Sequence, residues 1–466
     1  MPNEVHQNSR KLQAKGAFIS ASELAEDYLE HVTDRPVAAT EAALDALIQF
    51  DTPLPETSNP PSSTIKLLHK IGSPATTATA GGRFFGLVVG GTLPAALGAR
   101  VLASSWDQVV LNDATSPIGV KLEQVAARWL LDILRLPKQA SVGFTTGASI
   151  ANFTCLAAAR HRLLASAGWD VKQKGLNGAP KLRVIVSEEI HITVLKALGL
   201  LGFGLDNTTK VPCDQNGAID LAALPEIDSK TLVIAQAGNV NSGAHDPIAE
   251  IANKTADVGA WLHVDGAFGL WAAASPRTQD QLSGYEAADS WVVDGHKWLN
   301  TPYDCGIAIC KHPTAIHAPM ATQAPFLKER DIAAPKDMVP EFSRSARGVE
   351  VWAALHSLGR KGVAELIDRC CDNALAFADG LQALGFTILN DVKLNQVVAT
   401  LHGEEHLSVQ IAEHVQKSGI AWFGPTAWKG HQAIRISVSS WITSKEDVQK
   451  TLVAIGKAVK SLKGNP

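Results

Sequence analysis

A lysine follows an apolar run in the segment SWVVDGHKWLN, residues 290–300. The letters WVV are typical of a buried strand, and Asp294, His296 and Lys297 come directly after it. Lys297 has two interpretations. It either leaves the strand end and reaches solvent, as most lysines do, or it is desolvated so that its neutral amine can attack a carbonyl group.

Three further groups that could do chemistry also follow apolar runs. Gly147, Ala148 and Ser149 stand at a helix start after SVGFTT, where small residues and free N–H groups favour an anion such as phosphate. His191 opens a helix in SEEIHITVLKA, and Asp265 ends the run in HVDGAFG. Each has an ordinary alternative: a glycine turn with a serine cap, a histidine cap, or an aspartate in a turn. Their joint occurrence at successive strand ends is much less expected by chance.

A parallel sheet would bring these residues together. Short apolar runs alternate with amphipathic helices between residues 81 and 344, and strands are predicted over residues 141–146, 182–188, 231–238, 260–267, 290–295 and 305–311. Strands that are apolar throughout and linked by helices indicate an α/β fold with helices on both faces. In such sheets the chemistry lies at the carboxyl ends of the strands.

Two other segments flank this α/β domain. Residues 1–80 predict helices at Ala21–Val32 and Ala39–Phe50 and a Pro-rich linker at 51–63. Residues 345–466 predict a smaller α+β domain, with a long helix followed by strands FTIL, NQVVATL and AIRISVS. The N-terminal segment is too small to bury its apolar residues, so we expect it to wrap another surface, such as a second subunit.

The composition excludes several classes of protein. The 466 residues are 46% hydrophobic and 19% charged with a net charge of -4, which gives no case for a nucleic-acid partner. The first residues lack a signal-peptide core, and the longest uncharged run, residues 84–99, is shorter than a membrane span. The six cysteines show no CxxC and no metal-type spacing, so we expect neither disulfides nor a metal site. These features predict a globular cytoplasmic protein without a membrane partner.

Pyridoxal phosphate is a cofactor that requires such a set of residues. It needs an anion site for its phosphate, a flat group against its ring, a carboxylate at its pyridine nitrogen and a lysine for a Schiff base. Asp265 would pair with the nitrogen and raise its pKa, which keeps the ring protonated. The ring then accepts the electrons left by bond cleavage at the substrate α-carbon. Lys297 would form the Schiff base.

The sequence resembles the fold-type-I pyridoxal-phosphate decarboxylases of group II, which include aromatic-L-amino-acid and glutamate decarboxylases. The matching motifs cover nearly the whole chain after about residue 65. They are RFFG (83–86), TSPIGVKLEQVAARWL (115–130), TTGASIAN (145–152), HVDGAFG (263–269), DGHKWLN (294–300), SRSARGVEVWAALHSLG (343–359) and RISVSSW (435–441). The resemblance implies a mainly parallel seven-stranded sheet in the large domain. It also implies a homodimer with the active site at the subunit interface and an exchanged N-terminal flap.

The residue pattern and the resemblance together predict nine cofactor-binding residues. These are Gly147, Ala148, Ser149, His191, Asn239, Asp265, Ala267, His296 and Lys297. The resemblance implies that His191 stacks on the ring and that Ala267 lies against its other face. It implies further that Ala148, Ser149 and His296 hold the phosphate and that Asn239 lies near the ring substituents.

Substrate-binding residues are predicted in the small domain and near residue 85. The resemblance implies that Arg435 anchors the substrate carboxylate, since its planar fork suits a bidentate pair; a structural ion pair is the alternative. Phe85, with other aromatic residues, suggests an apolar or aromatic pocket, and ordinary core packing is the alternative. The loop GGTLPAA, residues 90–96, would border the pocket.

Two positions depart from the family pattern. An acidic residue usually follows the phosphate-site serine, and this chain has Ile150. Decarboxylases of the family carry a tyrosine in a loop after the lysine, which protonates the α-carbon once carbon dioxide has left. This chain has Phe326 there, in TQAPFLKERD. Protonation would then come from Tyr303, the first candidate, or from His191, Lys297 or water.

The main hypothesis is a lyase that removes the α-carboxylate of an L-amino acid through a Schiff base on Lys297 and a quinonoid intermediate. Because Phe326 cannot donate a proton, two alternatives stay open: a decarboxylation-dependent aldehyde synthase, or a carbon–carbon lyase of the aldol type. A third hypothesis is a catalytically silent homologue that serves as a binding or regulatory subunit. The intact set of Lys297, Asp265 and His191 argues against that third hypothesis.

Overall fold

A seven-stranded, mostly parallel sheet lies at the centre of the computed structural model, which describes residues 2–322 and 334–464. Its strands are β1 (Ser141–Thr145), β2 (Arg183–Ser187), β3 (Thr208–Val211), β4 (Thr231–Gln236), β5 (Trp261–Asp265), β6 (Ser290–Asp294) and β7 (Gly306–Cys310). The order across the sheet is β1-β7-β6-β5-β4-β2-β3. Only β7 runs antiparallel to its neighbours within this sheet. The predicted α/β fold with a mainly parallel seven-stranded sheet is confirmed.

Helices cover both faces of this sheet. All α-helices of the described chain are α1 (Pro2–His31), α2 (Glu41–Asp45), α3 (Pro61–Gly72), α4 (Pro94–Trp106), α5 (Pro117–Ile133), α6 (Ala148–Ser166), α7 (Val171–Lys174), α8 (Ile192–Leu200), α9 (Ile248–Val258), α10 (Pro313–Met320), α11 (Gly348–Ala383), α12 (Ser408–Lys417) and α13 (Lys445–Leu462), of which α5, α6, α8, α9 and α11 pack on the sheet. Side chains alternate between two cores: Val184 and Val186 of β2 pack with α6 and α8, whereas Ile185 packs in the core with α5, α9 and α11. The strands are apolar throughout because both faces are buried.

A second, antiparallel sheet follows in the C-terminal part. It contains β8 (Phe386–Ile388), β9 (Gln396–Leu401), β10 (Gly424–Trp428) and β11 (His431–Ser437), in the order β10-β11-β9-β8. The long helix α11 bends at Gly359, whose φ is 60°. It packs against α4 and α5 on one side and against α13, β8 and β9 on the other, so it connects the two sheets. The division of the chain into residues 1–80, 81–344 and 345–466 stays a prediction.

The N-terminal helices differ in extent from the prediction. Helix α1 starts well before residue 21, and the helix expected over residues 39–50 is split into α2 and a 3-10 turn at Ala46–Phe50. Helices α1 and α3 pack against each other, and many apolar side chains of this segment are exposed, among them Phe18 of α1, Ile48 of the 3-10 turn and Leu68 of α3. Across the described ranges, no helix is both long and apolar enough to cross a membrane.

Candidate active site

The neighbouring strands β5 and β6 each end in a buried aspartate, at the same edge of the sheet. Asp265 ends β5 and is 6% exposed, while Asp294 ends β6 and is 1% exposed. Lys297 lies in the turn after β6, with its Nζ 3.3 Å from Oδ2 of Asp294. Its side chain is mostly buried, so Lys297 does not extend into solvent as the ordinary interpretation would have it.

The Asp265 carboxylate accepts a hydrogen bond on each oxygen. The backbone N–H of Ala267 donates to Oδ1 at 3.1 Å, and the side-chain amide of Asn152 donates to Oδ2 at 3.2 Å. Hydrogen bonds donated to a carboxylate stabilise its charged form. The hydrogen bond from Ala267 thus orients the Asp265 carboxylate, and the Ala267 methyl group lies at the same strand end.

His191 follows the carboxyl end of β2 and caps the N-terminus of α8. The backbone N–H of Thr193 donates to Nδ1, and the Thr193 hydroxyl lies 2.7 Å from the same nitrogen. Burial lowers the pKa of His191, so the ring is neutral at neutral pH. Burial is the main cause of this shift, and the charges of Asp265, Lys297, Arg435 and Asp294 have smaller effects on the same pKa.

The N-terminus of α6 faces the same edge. Gly147 precedes the helix, and a Cβ placed on it would lie 3.3 Å from Cε1 of His296. Ala148 and Ser149 are in the first turn, where backbone N–H groups have no acceptor within the helix. No acidic residue occupies that turn, which leaves the positive end of the helix dipole open to an anion.

The His296 ring is oriented by a backbone contact. The N–H of Cys305 donates to Nδ1 at 3.0 Å, so that nitrogen is an acceptor. Burial lowers the pKa of His296, and the neutral ring therefore carries its proton on Nε2. Tyr303, 55% exposed, stacks on this imidazole with 4.3 Å between ring centroids. The Nε2 atom lies 3.7 Å from Oδ2 of Asp294.

Arg435 of β11 brings the small sheet to the site. Its Nη1 lies 3.4 Å from Oδ1 of Asn241, and burial lowers the pKa of its guanidinium. In the part of the chain that the structure describes, no carboxylate pairs with Arg435. The alternative of a structural ion pair therefore finds no support among these residues.

The segment at residues 90–93 packs directly on the turn that carries Lys297. Asn300 connects the two: its Oδ1 accepts the N–H of Gly91 at 2.6 Å and that of Trp441 at 2.8 Å, and its carbonyl accepts the N–H of Leu93. The side-chain amide of Asn300 donates to the carbonyls of Trp298 and Ser439. Asn300 thus holds the loop, the lysine turn and the C-terminal segment together.

Three predicted residues need separate mention. The Asn239 side chain accepts the N–H groups of Asn241 and Ser242, and its buried amide nitrogen has no hydrogen-bond partner among the described residues. Phe85 is 1% exposed and packs edge-on against Phe377, which favours the core alternative over substrate contact. Phe326 lies outside the described residues.

Comparison with known proteins decides the family. The chain matches the model of the pyridoxal-dependent decarboxylase conserved domain over residues 45–402. The chain belongs to the pyridoxal-dependent decarboxylase family. It is 26% identical to tryptophan decarboxylase 1 of Oryza sativa, over 94% of this chain and 92% of that protein. It is 27% identical to L-2,4-diaminobutyrate decarboxylase of Rhizobium meliloti, over 79% of this chain and 76% of that protein. A structure of Oryza sativa TDC with PLP and tryptamine has a TM-score of 0.89 at 24% identity, covering 97% of this chain and 98% of that one. The fold is therefore that of the fold-type-I enzymes.

The site residues of this pyridoxal-dependent decarboxylase fit the family's cofactor. The first turn of α6 offers N–H groups to a phosphate without a competing carboxylate. Asp265 is a buried carboxylate suited to a protonated pyridine nitrogen, and the unpartnered amide of Asn239 is a donor suited to a ring substituent. The mostly buried amine of Lys297 is of the kind that the cofactor's aldehyde requires. Pyridoxal phosphate is the cofactor of this family.

Several residues of the site were missed from the sequence. Asn152, His263 and Ser290 are fully buried and connected to Asp265, and Asn300 connects three segments. A signal for His263 existed, since it lies two residues before Asp265 and therefore on the same face of β5. Asn152 and Asn300 stand inside quoted motifs, but nothing local in the sequence indicates their partners.

Proposed function

We propose that this chain is a carboxy-lyase that removes the α-carboxylate of an L-amino acid as carbon dioxide. The observation that carries the proposal is the mostly buried Lys297 beside two neighbouring strand ends, each of which carries a buried aspartate, Asp265 on β5 and Asp294 on β6. Arg435 of β11 is half-buried, and no carboxylate among the described residues pairs with it. A lysine for the cofactor aldehyde, a carboxylate for its ring and a free guanidinium for a substrate carboxylate are the three charges that the reaction requires.

Bound pyridoxal phosphate supplies a sink for the electron pair that remains on the substrate α-carbon when the carboxylate leaves. In the proposed arrangement Lys297 holds the cofactor covalently, and Asp265 holds a proton on the ring nitrogen. The N–H groups at the start of α6 bind the phosphate together with His296. His191 and Ala267 flank the ring, and Arg435 orients the substrate. The Tyr303 hydroxyl is the first candidate to hand a proton to the α-carbon.

The test has a binding arm and a turnover arm. Borohydride reduction of the cofactor-loaded protein, followed by peptide mass spectrometry, is expected to place the phosphopyridoxyl mass on the Lys297 peptide. Carbon dioxide release is then measured across a panel of L-amino acids. Lys297→Ala is expected to abolish both signals, and Lys361→Ala, whose side chain is 90% exposed, is the matched control. Labelling of another lysine, or no labelling, would refute the proposal.

A second candidate function is an aldehyde synthase, and the residue that favours it is Phe326. A phenylalanine in place of the loop tyrosine cannot protonate the α-carbon, which leaves that carbon open to dioxygen. The balanced reaction consumes the amino acid, dioxygen and water, and releases the aldehyde, carbon dioxide, ammonia and hydrogen peroxide. A 4-hydroxyphenylacetaldehyde synthase of Rhodiola rosea, 25% identical over 79% of each chain, is among the relatives.

Product analysis separates the two functions. We expect peroxide and aldehyde to form together with oxygen uptake if Phe326 has this effect, and Phe326→Tyr to shift the product toward the amine. General acid catalysis by a positioned group typically contributes about a hundredfold to ten-thousandfold, so the shift is measurable. Equal amounts of amine and carbon dioxide without oxygen uptake, unchanged by Phe326→Tyr, would leave simple decarboxylation as the function.

We propose further that the active form is a homodimer in which a second copy covers the N-terminal helices. Apolar side chains there are exposed, with Phe18 at 53%, Ile48 at 69% and Leu68 at 57%. Apolar side chains exposed together on one segment are typical of an interaction site. Light scattering is expected to give twice the chain mass. Removal of residues 1–62, or Ile48→Glu with the full chain kept, is expected to yield monomer or aggregate with loss of activity; a fully active monomer would refute the proposal.

A further inference from the structure

Five buried side chains form a continuous line of hydrogen bonds that ends at Asp265. The Trp261 Nε1 lies 3.0 Å from the Ser290 Oγ, which lies 2.8 Å from Nδ1 of His263. The other ring nitrogen of His263, Nε2, lies 2.8 Å from Oδ1 of Asn152, and the Asn152 Nδ2 lies 3.2 Å from Oδ2 of Asp265. Trp261, Ser290, His263 and Asn152 are each at most 3% exposed.

The fold explains why these residues meet. Trp261, His263 and Asp265 alternate along β5 and so share one face of the sheet. Ser290 stands directly opposite His263 in the parallel pairing of β5 with β6. Asn152 lies one turn into α6, the helix that packs on that face.

The two ends of the line fix the direction of every hydrogen bond. A carboxylate only accepts, so Asn152 must turn its amide nitrogen toward Asp265 and its oxygen toward His263. Nε2 of His263 must then carry the proton, and Nδ1 must accept from the Ser290 hydroxyl. At the other end the Trp261 indole only donates, so Ser290 accepts from it, and the Ser290 proton is free to go to the unprotonated Nδ1. With a neutral His263 ring, every donor therefore points toward Asp265.

The charge state of His263 agrees with this direction. Burial lowers the pKa of His263 to about 4, so the ring is neutral at neutral pH and one of its nitrogens accepts. A protonated imidazole would donate from both nitrogens and oppose the Ser290 hydroxyl.

We propose that Trp261, Ser290, His263 and Asn152 are positioning residues that keep Asp265 a carboxylate and thereby keep a proton on the ring nitrogen of the bound cofactor. Aligned hydrogen bonds polarise one another, and a donor at a carboxylate lowers its affinity for a proton. Without this donation the proton between Asp265 and the ring nitrogen moves toward Asp265. The inference rests on the proposed pairing of Asp265 with that nitrogen.

The experiment reads the ring proton directly. The protein is loaded with pyridoxal phosphate labelled with ¹⁵N in the ring, because the ¹⁵N chemical shift distinguishes a protonated from a neutral pyridine. Wild type is expected to show a protonated ring, and Asp265→Asn a neutral one. Asn152→Leu, which keeps the volume and removes the donor, is expected to shift the signal toward the neutral value and to lower turnover about tenfold to hundredfold, the effect of one hydrogen bond to a charged group.

Variants further along the line separate positioning from packing. Ser290→Ala is expected to shift the signal in the same direction by less, and Ser290→Thr, which keeps a hydroxyl, to restore it. In protein labelled with ¹⁵N-histidine, the His263 signal, identified among 15 histidines by its loss in His263→Gln, is expected to show the Nε2–H tautomer.

The outcomes distinguish this inference from the proposed function. A neutral ring in wild type, or no effect of Asp265→Asn, would overturn the pairing itself. A protonated ring that Asp265→Asn removes but Asn152→Leu and Ser290→Ala leave unchanged would overturn the inference alone. An Nδ1–H tautomer of His263 would also overturn it.

Discussion

Gly90 permits a close backbone approach to the lysine turn, and adding one methyl group there should disable the enzyme. A Cβ on Gly90 would lie 1.9 Å from the carbonyl oxygen of Lys297, 3.0 Å from its carbonyl carbon and 3.2 Å from Cα of Asn300. All three contacts are with backbone atoms, which cannot rotate away. The loop and the lysine turn would have to separate by about 1.5 Å to restore an ordinary contact.

The separation acts on the residue that we propose holds the cofactor. Asn300 resists it, since its side chain holds Gly91 at 2.6 Å on one side and Trp441 at 2.8 Å on the other. Overpacking of this kind costs about 1–3 kcal/mol of stability. A displacement of about 1 Å at a reacting group lowers turnover by about a hundredfold. We therefore expect Gly90→Ala to fold, to bind pyridoxal phosphate more weakly and to lose about 99% of its turnover.

The chain offers a matched control eight residues further on. A Cβ on Gly98, inside α4, would meet no atom within 4 Å. Since alanine is the better helix former by up to about 1 kcal/mol, Gly98→Ala should keep full activity and melt at the same or a higher temperature. Cofactor absorbance, carbon dioxide release and thermal denaturation are measured on both variants. Wild-type turnover and cofactor affinity in folded Gly90→Ala would refute the reasoning.

Three other substitutions test the charges of the site. Asp265→Asn should retain bound cofactor in the absorbance spectrum but lower turnover about a hundredfold to a thousandfold, because a neutral amide cannot hold the ring proton; undiminished turnover would contradict the assignment. Arg435→Gln should raise KM for the amino acid by about tenfold to a hundredfold while cofactor binding is unchanged, because one charged hydrogen-bond donor is lost; an unchanged KM would return Arg435 to a structural role. His263→Gln should flatten the pH dependence of stability. The folded pKa of His263 is about 4 against an ordinary value of 6.5, so its stabilisation is complete above pH 6.5 and is lost as the pH falls toward 4. At pH 5 the loss in the free energy of unfolding, relative to neutral pH, is about 2 kcal/mol. Urea unfolding at pH 5 and pH 7.5 measures it, and equal pH slopes in the two proteins would contradict a neutral His263.

The positions of the central strands could be predicted from the sequence because their apolar runs have a single physical cause, burial on both faces. The two strands that were missed, β3 and β10, lie at sheet edges. β3 reads TTKV and β10 reads GPTAW. An edge strand has one side open to solvent, so it tolerates polar residues and proline that a central strand excludes. Composition alone therefore could not separate these strands from loops.

The candidate site could be predicted to the extent that it lies at strand ends. Parallel strands bring their carboxyl ends to one edge, so Asp265 and Lys297 could be expected to meet without knowledge of any contact. Hydrogen-bond partners that lie far apart in the sequence could not be predicted in this way. Gly91 and Asn300 are hydrogen-bonded across more than two hundred residues, and no local pattern encodes that pairing.

The hydrogen-bond line to Asp265 could be predicted in part. In the segment AWLHVDG, the side chains of Leu262 and Val264 make one face of β5 apolar. The side chains of Trp261, His263 and Asp265 lie on the other face and can form hydrogen bonds. A polar group buried without a partner costs several times the net gain of a hydrogen bond. Three such groups on one face of a central strand therefore require partners on the neighbouring strand or on the helix that covers that face. Ser290 of β6 and Asn152 of α6 supply them. A central strand whose polar residues recur every second position thus predicts a buried network, and at a strand end that carries a reactive aspartate the network leads to the site.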